Sequence, residues 1–176
     1  IAFIDPRQSQ VDIIQAVGRA IRKSENKTFG IIVIPVYLSE ISENINDQVL
    51  ASKFSSVWKI ILALKSQDDS LMEEIDSLRV SLGKTGNGNN HKIGLNKITI
   101  DFPKKITPQF AEKIQTILIR NTSSKWNEYL GQLIQFAKSS GHTKVPFTTL
   151  LGRWVSKQKK YFKNGQLSNA RVQDLE

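Results

Sequence analysis

The sequence contains no cysteine and only two histidines, His91 and His142. Without thiols there can be no disulfide and no Cys-ligated metal site, and two isolated histidines lack the spacing of a zinc site. No run of 18 or more apolar residues is present and no basic-then-apolar leader opens the chain. A soluble, cytoplasmic protein without membrane attachment is therefore expected. Also missing is a Gly-x-x-x-x-Gly-Lys-Ser/Thr loop. Gly83-Lys84-Thr85 comes nearest, but Leu78 stands where the first glycine of such a loop belongs, and Gly-Asn-Gly-Asn-Asn follows where a helix is needed. No acidic Asp-Glu-x-His strand is found either, so this chain alone has nothing with which to hold a triphosphate and Mg²⁺.

What is present is basic and moderately apolar. The 176 residues, 39% of them apolar, suit one domain or two small ones with packed cores. The net charge of +9 is unevenly spread. Residues 41–83 hold seven Asp/Glu against four Lys/Arg, a net of −3, whereas residues 125–176 hold nine Lys/Arg against three Asp/Glu, a net of +6. The basic end calls for a polyanionic partner, with nucleic acid the first candidate.

The apolar pattern divides the chain into a mainly α protein with a small α/β part. Ile1-Ala-Phe-Ile4 and Gly30-Ile-Ile-Val-Ile-Pro35 are short apolar runs, and between them Ile13, Ile14, Val17, Ala20 and Ile21 recur at helical spacing. Runs of this kind around an amphipathic helix predict a βαβ unit over residues 1–40. Since one βαβ unit cannot close a sheet, and the chain opens with Ile inside a strand, more of the domain is expected to precede it. Residues 41–83 read as a helical connector, with Trp58 on an apolar stripe as core. Residues 84–96 read as a flexible linker beginning at the Gly83-Lys84-Thr85 loop, with His91 solvated. Residues 97–123 read as a strand over 97–102 followed by a helix that starts at Thr107-Pro108.

On the N-terminal helix, Gln15, Gly18, Arg19 and Arg22 stand as Gln-x-x-Gly-Arg-x-x-Arg. Steps of four and three bring the amide and both guanidinium groups to one face, where they can converge on an anion. Arginine suits a phosphate in transit because its fork never deprotonates and meets two oxygens at once. Gly18 in mid-helix costs roughly 1 kcal/mol against Ala, which suggests a close approach to the backbone there. Residues 1–37 resemble the end of the second RecA-like domain of superfamily two (DEAD/DEAH-type) helicases, and the block from Gln15 to Arg22 is similar to their motif VI. The resemblance implies that Arg19 and Arg22 act as arginine fingers and that Gln15 and Gly18 adjoin the nucleotide. ATP and Mg²⁺ would be held mainly by a first RecA-like domain that this chain does not contain, so the chain alone is expected to be without ATPase activity.

From Trp126 onward three helices are predicted. Trp126, Tyr129, Leu130, Leu133, Phe136 and Ala137 form one face of the first, and Gly141-His142-Thr-Lys-Val145-Pro146 makes a turn with His142 satisfied by backbone. The second helix buries Leu151, Trp154, Val155, Gln158 and either Tyr161 or Phe162. It turns Arg153, Lys157, Lys160 and Lys163 outward. Gln158 can serve as a buried hydrogen-bonder or as a contact. Gly165 and Ser168 stop this helix and cap a third that begins at Arg171, Val172 and Leu175. The pattern Trp, Leu, Phe-Ala, Gly-His, Val-Pro, Leu-Gly-x-Trp-Val, Gln, Gly-x-Leu resembles the helicase-associated domain, here over 124–176 and expected to be cut short at its C-terminus.

Together these readings imply the C-terminal part of an ATP-dependent helicase or translocase. Its partners would be nucleic acid, DNA ahead of RNA, and the first RecA-like domain, with Arg153, Lys157, Lys160 and Lys163 as phosphate contacts. The contrasting reading is a non-catalytic accessory region that binds nucleic acid or docks a protein through the acidic segment 41–83.

Overall fold

The computed structural model describes residues 12, 14–16, 18, 32–34, 36, 54–86, 96–102, 104 and 106–176. After a helical N-terminal segment that includes residues 14–16, six helices follow: α1 (Ser55–Lys65), α2 (Asp69–Thr85), α3 (Pro108–Thr122), α4 (Lys125–Ser140), α5 (Leu150–Lys163) and α6 (Asn169–Gln173). They fall into two compact units, one of Ile1–Ile75 with Ile93–Thr122 and the other of Asp76–Lys92 with Ser123–Glu176.

The mainly helical reading holds, but the α/β part does not appear as read. Among the described residues there is no strand, and Val33 makes only an isolated β-bridge. The run from Ile1 to Ile4 lies outside the described residues. Ile32 and Ile34 pack with Ile14, Ala16 and Leu64 around Ile60 and Ala63 of α1, so these apolar residues bury against a helix where a sheet was expected. The strand expected at 97–102 is also absent, and its six residues are irregular. Alternation alone cannot make a strand, since the ladder needs a neighbour to take up the backbone N–H and C=O groups.

In the first unit, α1 packs against α3. Ile60, Ile61 and Ala63 of α1 and Ile114, Ile117, Leu118 and Ile119 of α3 are buried. Trp58 is core, as its apolar stripe predicts, and stacks on Phe54 with ring centroids 5.4 Å apart. Lys65 Nζ donates to Thr122 O at 3.1 Å, a cation on the last carbonyls of α3 where the helix dipole favours it.

Asp68 caps α2. Its Oδ1 accepts from Leu71 N–H at 3.0 Å and from Ser70 Oγ at 2.8 Å, and Lys97 Nζ closes on the carboxylate at 2.7 Å. The Lys97 hydrogen bond first, then the Leu71 N–H and Ser70, lower the carboxyl from 3.8 to about 2. Because the folded-state value is depressed, this charge stabilises the fold above pH ~4, and the contribution is lost as pH falls toward 2. Both partners are about 40% exposed, which keeps the effect small. Asp68→Asn retains a good cap and removes the charge. It should unfold at lower urea concentration than the parent at pH 7, with the gap closing as pH approaches 2. An offset that stays constant across that range would exclude the charge as its cause.

The expected loop at Gly83-Lys84-Thr85 is helix. α2 runs through all three residues and is stopped by Gly86, whose φ of 71° is left-handed and whose N–H bonds Leu82 O at 3.0 Å. Gly83 is buried for another reason. A Cβ built on it would lie 2.0 Å from Glu128 O, and one built on Gly131 of α4 would lie 2.0 Å from Val80 O. The two glycines let the backbones of α2 and α4 touch. Arg79 fixes the same crossing with an ion pair to Glu128, 2.7 Å long and largely buried.

Candidate nucleic-acid interface

Local chemistry sets the three C-terminal helices in place. Ser124 Oγ accepts from Trp126 N–H at 3.2 Å and starts α4. Gly141, at φ 73°, ends it with its N–H on Ala137 O. In the turn that follows, His142 Nδ1 accepts from Lys144 N–H at 3.3 Å while its ring leans on Phe136. Thr149 Oγ1 accepts from Gly152 N–H at 3.0 Å to start α5, and Ser168 caps α6.

A ladder of rings joins α4 to α5. Trp154 stacks on Tyr129 with centroids 5.4 Å apart and meets Trp126 edge-on at 5.8 Å. Cations close both ends, Arg171 over Trp126 at 5.2 Å and Lys125 over Tyr129 at 5.6 Å. Gln158, only 6% exposed, accepts from Trp126 Nε1–H at 3.2 Å and donates to Trp154 O at 3.4 Å. It is therefore a buried hydrogen-bonder. Leu151, Val155 and Tyr161 are half-buried on the same side. Phe162 is exposed instead and lines a groove of about 330 Å³ with Val155, Leu167 and Val172.

With Gln158 inward, helical spacing turns Arg153, Lys160 and Lys163 to the opposite side and Lys157 to its edge. All four are exposed. Lys159, which the heptad-like spacing of the others passed over, is a fifth exposed cation on α5. Lys157 Nζ rests over the Tyr161 ring at 5.4 Å. No carboxylate of the described residues pairs with any of the four, and residues 129–173 contain no Asp or Glu at all. The face is therefore a positive surface without an ion pair among the described residues, with Glu176 in the groove that Lys159 and Lys163 also line.

The N-terminal candidates are less fully placed. Gln15 and Gly18 are helical and exposed, on the polar side of a segment whose Ile14 and Ala16 face the core. Arg19 and Arg22 lie outside the described residues. A Cβ at Gly18 would meet no described atom within 4 Å, so the close approach expected there does not come from them. Among the described residues no group of His, Cys, Asp and Glu could hold a metal ion, and no helix is long and apolar enough to cross a membrane.

The sequence reading passed over Gly131, the Tyr129–Trp154 stack and the Arg171 cap. Only Gly131 carried a signal, a glycine in mid-helix at a cost of roughly 1 kcal/mol.

A small helical module with a tryptophan-rich core and one basic face is the class these features define. Residues 123–176 match the helicase associated domain family, and the second compact unit resumes at the same residue, Ser123. Neither a curated protein nor a solved structure matches the chain.

Proposed function

We infer that residues 123–176 hold nucleic acid for an ATP-driven helicase or translocase, to which residues 1–40 contribute the end of a second RecA-like domain. The observation that carries the binding role is the exposed, unneutralised face of Arg153, Lys157, Lys160 and Lys163 on α5. Such a face gains affinity by releasing counterions from phosphates, so it grips strongly without reading sequence. The match to the helicase associated domain supports the motor context. In that context Gln15, Arg19 and Arg22 sense and neutralise the γ-phosphate of ATP, with Mg²⁺ and most of the triphosphate held by a first RecA-like domain. DNA is the expected polymer.

A salt titration tests the binding role. Log affinity should fall linearly with log salt, and Lys157→Glu with Lys160→Glu should lower affinity by roughly one to two decades at low salt and flatten the slope by about two. Fluorescence anisotropy with labelled DNA and RNA of mixed sequence reads both. Affinity indifferent to salt and to the double variant would reject this role for α5.

A further inference from the structure

Phe147 is 67% exposed and Leu150 66%, more than any other large apolar side chain of the described residues. The backbone that carries Phe147 is closely held. Pro146 O accepts from Thr149 N–H at 3.1 Å and from Thr149 Oγ1 at 2.8 Å, and the same Oγ1 caps α5. Gly152 lies so close beneath that a Cβ there would come 2.0 Å from Pro146 O and 3.0 Å from Phe147 Cα. A fixed backbone thus presents a large aromatic side chain to solvent.

The helix that starts three residues after this ring selects its ligand. Leu150, Arg153, Lys157 and Lys160 follow one another along the same side of α5, a stripe about 15 Å long at 1.5 Å per residue. It runs apolar at its start and cationic after the first turn. The positive end of the α5 dipole lies at the same start, and no acid occurs in residues 129–173 to repel an anion. A polyanion with flat apolar faces fits this arrangement, and unpaired nucleotides are such a polyanion. In a duplex the base faces are stacked within the helix and unavailable to a protruding ring, whereas a single strand offers each one.

We propose that Phe147, supported by Leu150, is a base-stacking platform at the head of the basic stripe, and that it makes single-stranded nucleic acid the preferred substrate of this module. The inference rests on the nucleic-acid role given to α5 above. One stacked base would give an affinity difference of about tenfold between single strand and duplex, since stacking removed by alanine substitution costs on the order of 1.4 kcal/mol or somewhat more.

The test uses the full chain, a labelled single strand of mixed sequence, and the same sequence annealed to its complement. Phe147→Ala should weaken single-strand binding about tenfold, leave duplex binding unchanged and keep the salt slope. Phe147→Tyr should bind like the parent, and Phe147→Leu should bind like Phe147→Ala, because the ring and not its apolar area is what stacks. A 2-aminopurine placed in the strand should lose emission on binding the parent and keep it on binding Phe147→Ala. With its side chain in solvent, Phe147→Ala should melt like the parent, which a thermal scan verifies. Equal loss on single strand and duplex, or full affinity in Phe147→Leu, would overturn the platform. So would unchanged binding in Phe147→Ala alongside weakened binding in the Lys157→Glu, Lys160→Glu variant, an outcome that leaves the role of the basic face standing. Capture of an acidic peptide by Phe147 in place of any oligonucleotide would also reject it.

Discussion

Gly131→Ala is expected to lower the melting temperature of the second unit by roughly 10 °C, a net loss of about 2 kcal/mol. Alanine is ordinarily the better helix residue, by roughly 1 kcal/mol, so the sign of this prediction depends entirely on packing. The new Cβ would stand 2.0 Å from Val80 O, and a backbone carbonyl inside a helix cannot rotate aside as a side chain can. α2 and α4 must separate, which also stretches the ion pair of Arg79 with Glu128. Gly83→Ala meets Glu128 O from the other side of the same crossing and should behave alike. Gly18→Ala is the control, because a Cβ there meets no described atom within 4 Å and alanine gains up to about 1 kcal/mol in helix propensity. Thermal scans followed by circular dichroism decide the matter. A Gly131→Ala protein that melts at the parental temperature would show that the helices do not cross here.

In the full-length ATPase proposed above, Arg19→Ala or Arg22→Ala should reduce ATP turnover by about three to five decades. Phosphoryl transfer asks the protein for little covalent chemistry, and a guanidinium opposite the equatorial oxygens is most favourable in the transition state. Its loss should therefore appear in kcat, with KM for ATP little changed. Lysine should rescue poorly, because a point charge cannot meet two oxygens in one plane. Nucleic-acid affinity belongs to α5 in this scheme and should survive either substitution. Steady-state ATPase assays alongside anisotropy separate the two roles. Normal turnover in either alanine variant would remove that residue as a finger.

Much of the C-terminal half could be read from the sequence because its signals are local. Ser124, Gly141, Thr149 and Ser168 act on backbone groups within a few residues of themselves, so caps and turns follow from neighbouring sequence. The basic face of α5 was legible for the same reason, since helical spacing alone decides which side chains share a side. His142 and Gln158 illustrate the boundary. A turn histidine bonded to nearby backbone is a local matter, whereas the Gln158 bond to Trp126 spans 32 positions and required two helices to be docked.

Sequence by itself determined the helical class of the protein, the turns that separate α4, α5 and α6, and the cationic side of α5, while α6 itself is Asn169–Gln173 and stops short of Leu175, which was read as part of it. Tertiary structure alone decided that Gly83 is a helix contact and not the start of a loop, that residues 97–102 form no strand, and that Gln158 bonds Trp126. Only docking revealed that Phe147 stands in solvent on a fixed backbone. The physical reason is common to all four. Propensity and periodicity act over a few residues, while close backbone approach, ladder pairing and burial depend on which distant segment arrives opposite, and nothing in the local pattern encodes that arrival.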